Sequence, residues 1–323
     1  MGIERTFVIV QNVMLMKTGI KIFAPASISN VAVGFDVLGI AIEQPGDEVV
    51  AKLVEEPGIH IHGIINGNNK IPKDPRKNTA AVAATAVLRH LGKQDEVGIL
   101  LEIRKQIPLG SGIGGSAASA VAGAVAVNEL FRKPLETRQL LPFAMEGERV
   151  SSPTAPADNV AASLLGGICM VRDVATNDIV RLPAMPGLYI VVLRPHIEIL
   201  TGNSRTQLTS DVPLNNAVQQ TANMAGFVAS LYTMDLDLMR RSLRDVLIES
   251  QRKATIPNFD AIQAAALEAD ALCCSISGAG PSLFALCANS LIAEQVGTAM
   301  QAASKQRCDV FTSAINTRGA YKM

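Results

Sequence analysis

Pro108-Leu109-Gly110-Ser111-Gly112-Ile113-Gly114-Gly115-Ser116-Ala117-Ala118-Ser119 holds the residues of this chain best suited to binding chemistry. Four of the six residues from 110 to 115 are glycine. Such a stretch turns tightly and brings backbone N–H groups close to a ligand with no side chains in the way. A helix beginning at Ser116 adds unpaired N–H groups and the positive end of its dipole. The combination is an anion site, and phosphate is the anion such sites most often hold. A glycine-rich turn that only packs a small-residue helix against a sheet is the plainer alternative.

Other phosphate motifs fit less well. Gly110-x-Gly112-x-x-Gly115 has the dinucleotide spacing, but that motif needs a βαβ unit with an acidic strand end about 20 residues on. Here more helix follows instead. A Walker loop would end in Gly-Lys-Ser/Thr, and no such lysine is present. His-Arg-Asp and Asp-Phe-Gly motifs of protein kinases are absent as well.

The loop must be positioned by its neighbours. Val97 to Ile103 reads as a strand leading in, and Ser116 to Leu130 as a helix leading out, built almost wholly of Ala, Val, Gly and Ser. Small residues let such a helix lie close against a sheet. Earlier, Ile20 to Ala24 reads as a strand ending in Pro25-Ala-Ser-Ile-Ser-Asn30-Val-Ala-Val-Gly34-Phe35-Asp36, a polar loop at a buried strand end where ligands sit. Asn30 and Asp36 equally suit a capped turn. Glu48 to Val54 and Ile59 to Ile65 read as strands, with His60 and His62 on a polar strand face. Asn78 is placed to cap a helix running to His90, and Asp158 to cap another. Thr137 to Arg149 reads as a helix, as do residues 214–231, 236–247, 259–269 and 291–305. Strands are expected at 188–193, 272–276, 283–287 and 310–315, making the second half an α+β sheet with helices on one face.

Composition sets bounds. A chain of 323 residues with 48% apolar and 18% charged residues builds a compact protein of two domains. Zero formal charge, no Trp, three Tyr and nine Phe leave no case for nucleic-acid binding. Residues 106–128 carry no charge, but the apolar helix within them is too short to span a bilayer. Five cysteines without metal-ligand spacing read as buried thiols in a reducing compartment, so a cytoplasmic location is expected.

Pro108 to Ala117 resembles the nucleotide loop of the GHMP kinases, Pro-x-x-x-Gly-Leu-Gly-Ser-Ser-Ala, with Ile113 for the usual Leu and Gly115 for the first serine. Ser277-Gly278-Ala279-Gly280-Pro281-Ser282 resembles the third motif of that family. Within it the chain is most similar to homoserine kinases. Those carry Ser-Ala-Asn-Leu-Gly-x-Gly-Phe-Asp around Asn30 and Asp36, Asp-Pro-x-x-Asn at Asn78, and an Asp-Asn-Val-Ala run at Asp158 and Asn159. Pro153 and Pro156 replace a Gly and a His of the family pattern.

The resemblance implies a two-domain α+β architecture. An N-terminal unit like ribosomal S5 domain 2 would span residues 18–178, and a ferredoxin-like C-terminal unit residues 179–323, after an extension of residues 1–17. It implies ATP and L-homoserine as substrates, Mg²⁺, and a homodimer without membrane or nucleic-acid partners. ATP would contact Pro108, Leu109, Gly110, Ser111, Gly112, Ile113, Gly114, Gly115, Ser116, Ala117, Ala118 and Asn78. Ser116 and Glu148 would hold the metal. Asn30, Asp36, Asn159, Arg205 and Arg252 would bind substrate, Asp36 at the ammonium and both arginines at the carboxylate. Asn159, Thr201, Glu148 and Ser116 would form the catalytic group, with no aspartate at the place of the mevalonate kinase base. Another GHMP kinase, of mevalonate or shikimate type, and a catalytically weak ligand-binding paralogue remain as alternatives.

Overall fold

The computed structural model describes residues 19–152, 154, 156–197 and 208–323. Thr201, Arg205, Pro153 and the extension of residues 1–17 lie outside the described residues.

The first sheet has seven strands among the described residues. β1 (Ile20–Ser29), β2 (Leu38–Val54), β4 (Gly98–Arg104) and β3 (Gly58–Ile65) lie side by side, with β11 (Tyr321–Lys322) outside β1. β5 (Ile168–Asp173) pairs with the first half of β2 and with β6 (Asp178–Leu182). β3 and β4 run parallel. Parallel neighbours need a crossover, and α1 (Thr79–His90) supplies it. β2 is longer than its sequence suggested: the chain is already extended at Leu38, ten residues before Glu48, across Pro45 and Gly46. The pairing of β1 with β2 shifts register between Pro25 and Ser27, which absorbs that irregularity.

α2 (Gly115–Leu130) lies at the centre. Nearly every residue of it is buried, against β1 and β2 on one side and α1, α3 (Leu141–Glu148) and α4 (Ala157–Leu165) on others. Only small side chains permit this: a Cβ on Gly123 would lie 2.1 Å from the Ala80 carbonyl oxygen. The expected helix from Thr137 to Arg149 is divided, because Pro142 starts a new helix after a 3₁₀ turn at Thr137–Leu140.

The second sheet runs β10 (Cys308–Ala314), β7 (Tyr189–Pro195), β9 (Leu283–Cys287), β8 (Cys273–Ile276), antiparallel throughout. With α8 (Phe259–Glu268) before β8 and α9 (Ser290–Ser304) between β9 and β10, this is the ferredoxin-like order. Between β7 and α8 come α5 (Leu214–Thr233), α6 (Leu236–Ser242) and the single turn α7 (Glu249–Arg252). The expected helix to Leu247 ends at Ser242.

Sheet membership departs from a division at residues 178/179. β6 forms a hairpin with β5, and β11 returns to β1, so both belong to the first sheet and the second begins at Tyr189. One apolar core joins the units, running from Ile22 and Leu101 to Ile190, Phe227 and Phe284.

Candidate active site

The nucleotide loop leaves β4 and enters α2 along the wall of a cavity of about 810 Å³. Its carbonyls are tied to the protein. Ser277 Oγ donates to Gly112 O at 2.8 Å, and the Ser27 amide donates to Ile113 O at 3.2 Å. Glycine is required at two points. Gly112 has φ +76° and a Cβ there would lie 2.5 Å from Gly280 O; Gly114 has φ +70° and its Cβ would lie 2.2 Å from Ser27 Oγ. No side chain caps α2, so its first-turn amides are left for a ligand. Pro108 to Gly112 and Gly114 to Ser116 line the cavity. Ile113, Ala117 and Ala118 are buried behind it and shape the loop.

Ser116 and Glu148 meet as expected. Ser116 Oγ donates to Glu148 Oε1 at 2.8 Å across α2 and α3. Glu148 is 8% exposed, and its Oε2 has no hydrogen-bond partner among the described residues. Burial pushes its carboxyl up to about 7, with the Ser116 hydroxyl opposing. An orphaned buried carboxylate oxygen beside a hydroxyl is a hard-oxygen donor set and fits a magnesium ion. No group of three or more His, Cys, Asp or Glu suited to a metal occurs among the described residues. His60 Nε2 instead lies 3.1 Å from the Glu56 and Pro57 carbonyls.

Asn30, Asp36 and Arg252 line the same cavity. Asn30, Val31 and Ala32 all have positive φ (68°, 44° and 58°), a strained turn between β1 and β2. Asn30 spans the site: its Oδ1 accepts the Asp36 amide at 3.1 Å and its Nδ2 donates to Gly278 O at 3.0 Å. Arg252, 7% exposed at the end of α7, donates from Nη1 to the same Gly278 carbonyl at 2.7 Å. Its guanidinium stacks 5.1 Å from the Phe35 ring centre. Asn159 Oδ1 accepts from Ser27 Oγ at 2.8 Å, which turns its Nδ2 into the group it offers the cavity.

Asn78 lines the cavity and, as expected, caps α1, accepting from Ala80 and Ala81 amides at 3.1 and 3.2 Å while Nδ2 donates to Pro72 O. Another role differs from expectation. Asp158 does not cap α4, whose N-cap is Pro156. It is a fully buried cavity residue whose Oδ1 accepts the Asn159 amide at 2.7 Å and whose Oδ2 has no described partner. Burial, opposed by the Asn159 amide and helped by nearby Asp36, lifts its carboxyl to about 7. Sequence reasoning also passed over Phe35, Asp47, Lys70, Lys105 and Ser119. A Lys one residue beyond a strand, facing a loop, was the signal for Lys105; Asp47 gave none, lying far away in sequence.

Residues 78–167 match the family described as GHMP kinases N terminal domain, and residues 227–306 that described as GHMP kinases C terminal. The chain belongs to the GHMP kinases. Within this family its relatives are homoserine kinases. That of Chlorobium phaeobacteroides strain BS1 is 41% identical, over 92% of this chain and 97% of its own. The crystal structure of homoserine kinase from Cytophaga hutchinsonii superposes with a TM-score of 0.92 at 43% identity, covering 95% of this chain and 98% of that one. Mevalonate kinase of L. major, in complex with R-mevalonate, shares the fold alone, with a TM-score of 0.70 at 18% identity, 93% of this chain and 97% of its own being covered. As a GHMP kinase the protein is an ATP-dependent small-molecule kinase. No helix among the described residues is long and apolar enough to cross a membrane.

Proposed function

We propose that the protein transfers the γ-phosphoryl group of ATP to the hydroxyl of L-homoserine, giving ADP and O-phospho-L-homoserine for threonine synthesis. One observation carries this reading. A single cavity joins a phosphate loop, a buried hydroxyl–carboxylate pair and the opposite charges of Asp36 and Arg252.

Phosphoryl transfer needs in-line placement and charge neutralisation more than covalent help from the protein. The loop amides hold the phosphates. Ser116 Oγ and the Glu148 carboxylate would hold Mg²⁺, which neutralises charge on the phosphate oxygens when bound. Asp36 takes the substrate ammonium and Arg252, with Arg205, its carboxylate, leaving the hydroxyl end towards the loop. Asn159 orients that hydroxyl through Nδ2. A carboxamide does not take up a proton, so the proton passes to the phosphate itself. Thr201 and Arg205 keep their proposed roles beside the hydroxyl and the carboxylate. A cytoplasmic homodimer belongs to the same proposal, its assembly checked by light scattering.

ADP release is measured with Mg²⁺·ATP and homoserine, mevalonate or shikimate in turn. The proposal expects homoserine alone to stimulate release. Turnover on another alcohol would shift the substrate within the family. No stimulated turnover, with ATP and homoserine still bound, would mark a ligand-binding paralogue in which Gly115, Pro153 and Pro156 have cost the activity.

A further inference from the structure

Behind the nucleotide loop lies a buried polar network that the mechanism does not use. Asp47 is fully buried on β2, and Lys105, 4% exposed, follows β4. They form an ion pair. Lys105 Nζ also donates to Gly115 O at 2.7 Å and to Ser119 Oγ at 2.9 Å. Asp47 Oδ1 accepts the amides of Gln106 and Ile107, each at 3.1 Å, and Oδ2 accepts Ser119 Oγ at 2.8 Å. Residues 105–107 lead into the loop; Gly115 and Ser119 lead out of it. The network thus bridges the two ends of residues 108–114.

We propose that Asp47 and Lys105 are positioning residues, a clasp that closes the base of the loop and sets its grip on the phosphates. This rests on the kinase reading above. Lys105 lines the cavity, so direct contact with phosphate is the competing role. An ammonium has three protons, and here all three meet protein acceptors. A buried ion pair is seldom better for stability than an apolar filler, whereas it fixes geometry when every group is satisfied. Gly115 contributes as well. A Cβ there would lie 3.1 Å from Ile107 Cγ2 and 3.6 Å from Lys105 Nζ, so the bare backbone lets the ammonium reach the carbonyl.

The test uses Ser119→Ala, Asp47→Asn, Lys105→Met and the Asp47→Asn/Lys105→Met double variant. KM is measured for ATP and for homoserine, and ATP and ADP affinities by calorimetry. Each charge variant should raise KM for ATP roughly tenfold or more, from the buried charge left unpaired. Ser119→Ala, which keeps the ion pair but removes the hydroxyl bonded to both of its charges, should raise it roughly tenfold. KM for homoserine should stay within about twofold in all of them. The double variant should lose no more ATP affinity than the worse single one, because both act through one clasp. Additive losses would overturn the proposal and assign Lys105 directly to phosphate. Equal losses for both substrates, or a lowered Tm with unchanged ATP affinity, would reduce the network to a structural element. Should either single charge variant fail to fold, Ser119→Ala with normal ATP affinity overturns it alone. Homoserine-dependent ADP release by the wild-type protein, run alongside, tests the kinase reading separately.

Discussion

Glu148 ends α3 with one carboxylate oxygen bonded to Ser116 and the other bare in a buried site. Its carboxyl rises to about 7 from an ordinary 4.5, so the folded protein without metal prefers the neutral acid. For a raised carboxyl the stabilisation is full below about 4.5 and is lost as pH climbs through about 7. In EDTA, Tm should therefore fall between pH 5 and pH 8. Glu148→Gln should flatten that slope, leaving the part due to Asp158, and should cut turnover by orders of magnitude while homoserine still binds. Near-normal turnover at saturating Mg²⁺ would remove Glu148 from the metal site. In the same cavity, Asp36 and Arg252 are the residues proposed to sort substrates by charge. Losing one partner of a close charge pair costs about 2–5 kcal/mol. Asp36→Asn should accordingly lower kcat/KM for homoserine roughly 30-fold or more, with a smaller effect on an analogue lacking the amine. Arg252→Ala should harm homoserine more than homoserine amide. Equal losses on every substrate would make both residues structural.

At the scale of elements, α2 and its loop were legible because glycine and alanine spacing has few other uses. The ferredoxin-like order was legible too, since its strands and helices alternate along one stretch. What escaped reading depended on contacts distant in sequence. Nothing near Asp178 says that β6 turns back onto β5 rather than opening a second sheet. Nothing near Asp158 says that its carboxylate is sealed beside Asp36, where a surface cap was the simpler expectation. Asn30, expected to bind substrate, lines the cavity, and its carboxamide also joins the Asp36 amide to the Gly278 carbonyl, a link that spans most of the chain. The packing of α2 gives a prediction of unusual sign. Gly→Ala inside an exposed helix is stabilising by up to about 1 kcal/mol. At Gly123 the added methyl would meet the Ala80 carbonyl of α1, and overpacking of this kind costs about 1–3 kcal/mol. Gly123→Ala should lower Tm by a few degrees with both KM values unchanged. A higher Tm would mean that α1 and α2 have room to part.

Across the whole molecule, the two sheets share one apolar core and meet again at the β8–β9 hairpin. That hairpin touches both halves of the cavity. Ser277 holds the Gly112 carbonyl of the nucleotide loop, and the Gly278 carbonyl next to it receives Asn30 and Arg252, the residues proposed to face the substrate. Two ligands whose binding residues lean on one short piece of backbone are expected to be thermodynamically coupled. Whatever ordering of the hairpin the first achieves, the second no longer has to supply. Homoserine should therefore tighten binding of a non-hydrolysable ATP analogue, and the analogue should tighten homoserine by the same factor, because linkage is reciprocal. Calorimetric titration of each ligand in the presence and absence of the other measures both factors. Ser277→Ala removes the hydroxyl that joins hairpin to loop, and should bring the factor towards one while each ligand still binds alone. If the factor in the wild-type protein is already one, the hairpin carries no message. If it is larger, the enzyme holds its grip on ATP in reserve until there is an acceptor to receive the phosphate, a brake on wasteful hydrolysis set by two adjacent residues of one turn.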